Sequence, residues 1–225
     1  MEFYEKKLAA AYVRGALKDD LPAVLRNKPL EALTEDDYSE LMESGKAKDL
    51  KLYHFKKKEL LPRVREVLGF LKSIYPESLL DVGSGRGVFL LPFLSTFPQA
   101  SVTSLDLLDH RVAMLQAMAE GGMDQLQVLQ ENICTWDGPD RGFQVVTLLE
   151  VLEHIPDVEQ AVKNAVRMAR DYVVVSVPSK PDDNPEHIHL LTKEILTGLF
   201  RQAGCEKIRF TGVPDHLIAI VTIEE

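Results

Sequence analysis

The stretch Leu79-Leu-Asp-Val-Gly-Ser-Gly-Arg-Gly87 joins a predicted buried strand to a predicted helix. Its glycines occupy the alternating positions Gly83, Gly85 and Gly87. Bare backbone at such a turn can approach a ligand closely, and the N–H groups at the start of the next helix can receive an anion. We therefore expect a small anionic cofactor here, although the same glycines can also form a tight connection that binds nothing.

The pattern around this turn predicts a parallel sheet. After Pro76, short β-branched or Leu-rich runs alternate with segments of helical period, which is typical of strand-helix-strand units. The predicted strands are residues 78–82, 101–106, 126–130, 143–149 and 172–177, and the predicted helices between them are 87–97, 109–120 and 158–169.

The two ends of the chain depart from this alternation. A helix at 192–203 is followed by two strands, 207–211 and 217–223, around the turn Gly212-Val-Pro-Asp215, so an antiparallel hairpin should close one edge. Residues 2–73 have a helical pattern broken into three or four short elements. We predict an α/β Rossmann-like three-layer sandwich with a mostly parallel seven-stranded sheet, divided into a helical cap or lid (1–76) and a cofactor-binding domain (77–225).

Composition limits the possible partners. The 225 residues carry a formal net charge of −9, which repels a polyanion, so RNA binding would need the local basic stretch between Lys46 and Arg65. The only cysteines, Cys134 and Cys205, lie far apart and suit a reducing compartment. No apolar run approaches the ~20 residues that cross a bilayer, so we expect a cytoplasmic protein without a membrane partner.

Single residues near the glycine turn limit which cofactor the site can bind. A dinucleotide fingerprint counted from Gly83 would need glycine where Val88 stands, and Asp81 would repel a pyrophosphate, which disfavours a nicotinamide cofactor and an oxidoreductase. Asp81 suits a cationic group instead, and Asp106 follows at the distance expected of a residue that accepts both hydroxyls of a ribose. The predicted ligand has a ribose and a positive charge.

A second polar stretch, Leu148-Leu-Glu-Val-Leu-Glu-His-Ile-Pro-Asp157, follows the predicted fourth strand. Open parallel sheets bind ligands beyond the carboxyl ends of the strands where strand order reverses, which here lies between the first and fourth strands. If residues 150–154 form a helical turn, Glu150, Glu153 and His154 converge on one spot. Glu150 and His154 are then candidate bases.

Three features carry a resemblance to a known family: Asp81-Val-Gly-Ser-Gly-Arg-Gly87, Asp106 and Glu150-Val-Leu-Glu-His-Ile-Pro-Asp157. The chain resembles the class I S-adenosylmethionine-dependent methyltransferases, over roughly Glu77 to the C-terminus. The resemblance implies S-adenosyl-L-methionine as cofactor. Asn132 departs from the acid usual at its position, and Gln144 replaces a frequent Asp. The implied cofactor-binding residues are Asp81, Gly83, Ser84 and Gly85 at the methionine end, Asp106 at the ribose, Leu107, Asn132 and Ile133 at the adenine, and Glu150.

The predicted function is methyl transfer to an oxygen or nitrogen of a small-molecule acceptor, with the N-terminal helices helping to select it. His187-Ile-His-Leu-Leu-Thr-Lys-Glu194 resembles the loop that many of these enzymes fold over their substrate, so the predicted catalytic residues are Glu150, His154 and His189. The oligomeric state is left open.

Two alternatives differ in chemistry. Glu150, Glu153, His154 and a downstream histidine resemble the metal-binding set of the RNA 3′-terminal ribose 2′-O-methyltransferases, in which Mg or Mn holds the terminal hydroxyls. The chain lacks that family's Phe-Glu-Trp-Thr segment, so no metal ligand is assigned and a metal is the disfavoured alternative. The other alternative is a non-catalytic domain that binds the cofactor for regulation or scaffolding.

Overall fold

The computed structural model describes residues 5–56, 59–181 and 183–224. The helices are α1 (Lys6–Leu17), α2 (Ala23–Asn27), α3 (Glu35–Ala47), α4 (Pro62–Ile74), α5 (Leu90–Thr96), α6 (Asp109–Glu120), α7 (Val158–Met168) and α8 (Lys193–Gln202). The strands are β1 (Ser78–Val82), β2 (Ser101–Asp106), β3 (Leu126–Gln130), β4 (Phe143–Leu149), β5 (Ala169–Pro178), β6 (Ile208–Val213) and β7 (His216–Thr222). Short 3₁₀ turns occur at Lys18–Asp20, Leu30–Ala32, Leu52–Phe55 and Leu152–His154.

The strands form one seven-stranded sheet in the order β3-β2-β1-β4-β5-β7-β6. β1 pairs in parallel with both β2 and β4, and β7 pairs antiparallel with β5 and β6. Strand order therefore reverses between β1 and β4, and the predicted fold is confirmed, including its C-terminal antiparallel hairpin.

Several predicted boundaries shift by one to three residues, and two of these shifts have a clear local reason. The helix expected from residue 87 begins at Leu90, because Gly87 has a φ of 74°, outside the helical region. β5 begins at Ala169 and not at 172, because Ala169 pairs with Phe143 as soon as α7 ends. The predicted bounds of β1 to β4 and of α6 match the observed bounds.

Alternate residues of the strands face the two apolar layers of the core. Leu79 and Val145 pack with α1 to α6 on one face, while Leu80 and Val146 pack with α7 and α8 on the other. Because successive strand side chains point to opposite faces, a sheet covered on both sides needs continuous apolar runs. This explains apolar runs such as Val173-Val174-Val175 in β5.

The N-terminal helices share this core. α1 lies so close to α6 that a Cβ on Gly15 would be 1.7 Å from the carbonyl oxygen of Ala117. The buried side chains of α1 to α4 belong to the same cluster as Leu79 of β1. The division between residues 1–76 and 77–225 stays a prediction, and the helical section has no core of its own within the described residues. No helix in these ranges has the length and apolar character to cross a bilayer.

Candidate active site

A cavity of about 610 Å³ opens at the carboxyl ends of β1, β2 and β4, where strand order reverses. Its volume is within the range of about 300–1,000 Å³ usual for small-molecule sites. Every residue that the sequence predicts to bind a cofactor lines it: Asp81, Gly83, Ser84, Gly85, Asp106, Leu107, Asn132, Ile133 and Glu150. Other lining residues include Arg63, Arg111, Glu131, Val151, His154, Ile155 and Glu186.

The glycine turn between β1 and α5 forms the floor of the cavity. Gly83 and Gly85 have φ angles of 67° and 57°, which residues with a side chain rarely adopt. A Cβ on Gly83 would lie 2.5 Å from Cγ2 of Val151, so the turn packs closely against the segment after β4. A Cβ on Gly85 would meet no heavy atom nearer than 3.7 Å, which leaves space for a ligand against its backbone.

Asp81, at the end of β1, is 3% exposed and accepts a hydrogen bond of 2.7 Å from the Thr147 hydroxyl. Burial raises the pKa of this carboxyl from 3.8 to about 6, against the opposing effects of Thr147 and Ser84, and the nearby charge of Asp106 raises the pKa further. A bound cation would favour the ionised form. The position therefore suits a ligand that brings a positive group.

Asp106, at the end of β2, is held by backbone donors. Its Oδ2 accepts from the Gly85 N–H at 2.9 Å, and its Oδ1 accepts from the Leu108 N–H at 3.1 Å. Each carboxylate oxygen can accept a further hydrogen bond, so the side chain is fixed in the cavity wall with capacity for a pair of hydroxyls. This arrangement fits the ribose role predicted for Asp106.

The cavity is more apolar beyond Asp106. Leu107 is 57% exposed, whereas Ile133 is buried. The side-chain oxygen of Asn132 accepts from the Cys134 N–H at 2.9 Å and so helps to shape its own turn. Glu131, which was not predicted from the sequence, also lines the cavity and supplies an acid one position before Asn132. Glu131 could have been considered when Asn132 was found at the position where an acid is usual.

Glu150 follows β4 with a φ of 59°, and several groups hold its carboxylate. Oε1 accepts from the Ser176 hydroxyl at 2.7 Å and lies 3.8 Å from Nε of Arg63, while Oε2 lies 3.0 Å from Nε2 of His216. Nδ1 of His216 lies 3.1 Å from the Pro214 carbonyl oxygen, so both ring nitrogens face acceptors and the protonated ring can donate to both. Glu150 therefore joins α4, β5 and β7 at one wall of the cavity.

The helical turn over residues 150–154, on which the expected convergence of Glu150, Glu153 and His154 depended, is absent. The left-handed backbone at Glu150 interrupts the chain before the 3₁₀ turn Leu152–His154, so residues 150–154 do not form one continuous helical turn. Glu153 is fully buried, and its neighbours in the grouping of possible metal ligands are His154 and His187.

The structure separates the histidines that follow β5. His187 lies beside His154, with ring centroids 4.8 Å apart, whereas Nε2 of His189 lies 3.0 Å from the Ile155 carbonyl oxygen. His189, the predicted catalytic histidine, is not among the residues that line the cavity, whereas His154 is. His187 was not predicted as a site residue. The turn signal at Asn184-Pro185 could have indicated it, because the His187 N–H bonds to the Asn184 carbonyl and closes that turn.

The basic residues between Lys46 and Arg65 lie in different environments. Lys48 forms an ion pair with Asp20 at 2.7 Å, and Arg63 faces the cavity. Lys57 and Lys58 lie outside the described residues.

A family model described as a methyltransferase domain matches residues 52–209. Among curated proteins, the chain is 31% identical over 110 residues to a ubiquinone biosynthesis O-methyltransferase of Nitrosomonas europaea, covering 48% of this chain and 44% of that protein. It is 35% identical over 102 residues to the enzyme of the same name from Idiomarina loihiensis, covering 43% and 41% of the two chains. These alignments therefore span less than half the length of each relative.

Solved structures show the same fold at low sequence identity. The methyltransferase domain of bacterial CtHen1-C superposes with a TM-score of 0.60 at 19% identity, covering 72% of this chain and 97% of that chain. Magnesium protoporphyrin IX methyltransferase from Synechocystis, with bound SAH, gives a TM-score of 0.58 at 15% identity, covering 72% and 82%.

The family match extends over more than half of the chain, and the fold and the cavity agree with it. The chain therefore belongs to the class I S-adenosylmethionine-dependent methyltransferases. The family and the cofactor predicted from the sequence, S-adenosyl-L-methionine, are confirmed. The residues fit this cofactor, since the bare Gly85 backbone leaves room for a ligand between the two carboxylates Asp81 and Asp106.

Proposed function

We propose that the protein transfers a methyl group from S-adenosylmethionine to an oxygen atom of a small-molecule acceptor. The observation that supports this most directly is the one cavity that is lined by Asp81, the glycine turn, Asp106 and the candidate proton acceptors Glu150 and His154. Transfer to oxygen is favoured because the curated relatives are named O-methyltransferases. When bound, the cofactor supplies an electrophilic methyl group on its sulfonium.

Different side chains bind different parts of the cofactor. Asp81 faces the cationic amino group, and Arg63, in the same cavity, is available to the carboxylate of the methionine part. Asp106 accepts the ribose hydroxyls while Gly85 and Leu108 hold it in place. Leu107 and Ile133 offer apolar surface to the adenine.

The acceptor side of the cavity lies near Val151, His154, Ile155 and Glu186. Displacement at a methyl group depends mainly on positioning, and a base is needed only if the acceptor must lose a proton. Arg63, Ser176 and His216 already hold the carboxylate of Glu150 in place. His154 is therefore the better candidate for contact with the acceptor oxygen.

A small molecule is favoured over RNA as the acceptor. The net charge of −9 opposes a polyanion, and Lys48 and Arg63 of the basic stretch are engaged with Asp20 and at the cavity. An RNA 3′ end is the alternative acceptor, and an experiment can distinguish it from a small molecule.

The test is a transfer assay with S-adenosylmethionine and three acceptor groups: phenols and other hydroxylated small molecules, small amines, and short RNA. Release of S-adenosylhomocysteine reports turnover, and mass spectrometry of the product identifies the methylated atom. We expect O-methylated small molecules, and turnover by Asp106→Asn that is about 10- to 100-fold lower at a cofactor concentration below saturation. Methylation confined to RNA would reverse the acceptor assignment. Tight binding of S-adenosylhomocysteine without turnover of any acceptor would favour a non-catalytic cofactor-binding domain.

A further inference from the structure

The turn that follows β3 is held by a side chain of α7. This turn (residues 132–136, the adenine turn) places Asn132 and Ile133 in the wall of the cavity, at the end assigned to the adenine. Nδ2 of Asn164 donates to the Ile133 carbonyl oxygen at 2.7 Å and to the Cys134 carbonyl oxygen at 3.1 Å. Asn164 is not among the described residues that line the cavity. We propose that Asn164 is a positioning residue for the cofactor, which acts by fixing the adenine turn.

Asn164 is a polar residue on the otherwise apolar buried face of α7. The other buried residues of this helix are Ala161, Val162, Ala165 and Met168. Asn164 is only 8% exposed, and burial of an amide costs free energy unless its polar atoms are hydrogen-bonded. An apolar side chain at this position would continue the buried face without that cost. The amide is therefore explained by the hydrogen bonds that it makes, and not by packing in the core.

Gln160 fixes the orientation of the Asn164 amide. Nε2 of Gln160 donates to Oδ1 of Asn164 at 3.0 Å, so the Asn164 amide presents its NH₂ group to the adenine turn. Gln160 is in turn held at the start of α7, where its N–H donates to the Asp157 carboxylate at 3.0 Å. Both N–H donors and the oxygen of Asn164 are thus paired, and the side chain has a single defined orientation.

The internal hydrogen bonds of the adenine turn converge on Asn132. Its carbonyl oxygen accepts from the Trp136 N–H at 2.7 Å, and its side-chain oxygen accepts from the Cys134 N–H at 2.9 Å. The carbonyl groups of Ile133 and Cys134 take no part in these internal bonds, and Asn164 binds both. Asn164 therefore completes the hydrogen bonding of the turn from outside.

α7 also fixes the adenine turn relative to the sheet. Val162 and Ala165, on the same helix as Asn164, belong to the same apolar cluster as Leu80 of β1. A helix packed on the sheet in this way keeps the adenine turn at a constant distance from the strand ends that hold the rest of the cofactor. Sites whose contacting groups are supported by such surrounding hydrogen bonds are preorganised for their ligand.

The consequence is confined to one part of the cofactor. Loss of the two Asn164 donors leaves the carbonyl groups of Ile133 and Cys134 to find other partners, so the turn must shift. This shift weakens contact with the adenine, whereas Asp106 and the glycine turn continue to hold the ribose and the methionine part. The proposal rests on the adenine placement of the proposed function, and it is independent of the acceptor.

The test compares two ligands that differ in the adenine. S-Adenosylhomocysteine contains it, and S-ribosylhomocysteine keeps the ribose and the homocysteine without it. Asn164→Leu removes the donors at similar side-chain size. We expect its affinity for S-adenosylhomocysteine to fall by about tenfold, because a displaced turn loses part of its contact with the adenine. Its affinity for S-ribosylhomocysteine should equal that of wild type. Calorimetry measures the first ligand, and ligand-observed NMR measures the second.

Gln116→Leu is the matched control, because it also replaces an amide by leucine in a helix. Gln116 of α6 donates to Glu120 at 3.1 Å, and its replacement should leave both affinities unchanged. Circular dichroism and thermal unfolding establish that the variants are folded. Should Asn164→Leu fail to fold, Gln160→Leu takes its place, since it leaves the donors present but removes the bond that orients them. The same ligand-selective loss is expected from it.

Equal losses for the two ligands would show a general structural effect and would overturn the proposal, as would unchanged binding of S-adenosylhomocysteine. Wild-type protein that binds both ligands equally well would overturn the adenine placement as well. A ligand-selective loss in Asn164→Leu, combined with no turnover of any acceptor by wild type, would support the positioning role and overturn the proposed transfer reaction alone.

Discussion

The Thr147 hydroxyl of β4 donates a hydrogen bond of 2.7 Å to the carboxylate of Asp81 on β1. The two residues are direct partners in the parallel pairing of these strands, at the point where strand order reverses. This bond stabilises the ionised carboxylate, but burial outweighs it, and the pKa of Asp81 rises to about 6. In the cofactor-free protein the carboxyl at the methionine end of the cavity therefore takes up a proton at a higher pH than an exposed aspartate does.

Asp81 should make the cofactor-free protein less stable as pH rises. Its pKa is about 6 in the folded protein, against an ordinary value of 3.8 that applies to the unfolded chain, so the folded protein binds the proton more tightly. The associated stability is complete below about pH 4 and is lost as pH rises to about 6, a change of about 3 kcal/mol. In Asp81→Asn this component is absent. Urea unfolding from pH 4 to 7 should show the variant gaining about 2 kcal/mol relative to wild type. Parallel curves would contradict this.

The same residue should make cofactor binding depend on pH. Binding of a cationic amino group requires ionised Asp81. Below pH 6, binding of each ligand must therefore release a proton from Asp81. The affinity for S-adenosylhomocysteine should then rise by up to about tenfold per pH unit below pH 6 and level off above it. Calorimetry in buffers of different ionisation enthalpy counts the released protons. In Asp81→Asn the affinity should be weaker at pH 8, and the slope below pH 6 should disappear.

Asp106→Asn should weaken binding of S-adenosylhomocysteine by about 10- to 100-fold, because an amide has only one acceptor oxygen and the charge-assisted bonds are lost. Asp109→Asn is the control: Asp109 lies at the start of α6 and accepts a hydrogen bond from Gln130. It changes the same chemical group three positions along the chain, and it should leave affinity unchanged. Similar losses in both variants would show that net charge, and not the ribose contact, controls the binding.

The fold was predictable because its signals are local. Periodicity located each strand to within a few residues, and the glycine turn and Asp106, which were predicted to bind the cofactor, line one cavity. The adenine end was less certain, since Asn132 uses its oxygen to form its own turn and Glu131 supplies the acid beside it. Local patterns thus define which strand ends meet, but they did not indicate that Glu131 lines the cavity together with Asn132.

The polar contacts around Glu150 could not be predicted, because they depend on tertiary structure. Arg63 and His216 reach Glu150 from α4 and from the start of β7, which are far apart in the sequence. The convergence expected for residues 150–154 assumed helical backbone, which the left-handed conformation of Glu150 prevents. His187 was overlooked in favour of His189 because their separation follows from a turn and from hydrogen bonds to another segment.

His154 and His189 should differ in their effect on turnover. His154→Gln should lower kcat by at least about 100-fold, as expected for loss of a group that acts on the acceptor proton or oxygen. His189→Gln should leave kcat nearly unchanged, because its ring bonds to the Ile155 carbonyl and does not line the cavity. Steady-state kinetics with the acceptor found in the transfer assay provides the measurement. A larger loss in His189→Gln would restore the catalytic role that the sequence suggested for His189.

Gly83 and Gly85 should respond differently to alanine, although both have positive φ. At Gly85 the new methyl group meets no atom nearer than 3.7 Å, so the cost to folding is mainly backbone strain of about 1–2 kcal/mol. At Gly83 the methyl group would approach Cγ2 of Val151 at 2.5 Å, and this clash adds to a similar strain. Adding Val151→Ala to Gly83→Ala should therefore recover the steric part, whereas adding it to Gly85→Ala should recover nothing. Urea unfolding of the single and double variants measures this coupling, and equal effects of Val151→Ala in both backgrounds would show that Gly83 does not pack against the segment after β4.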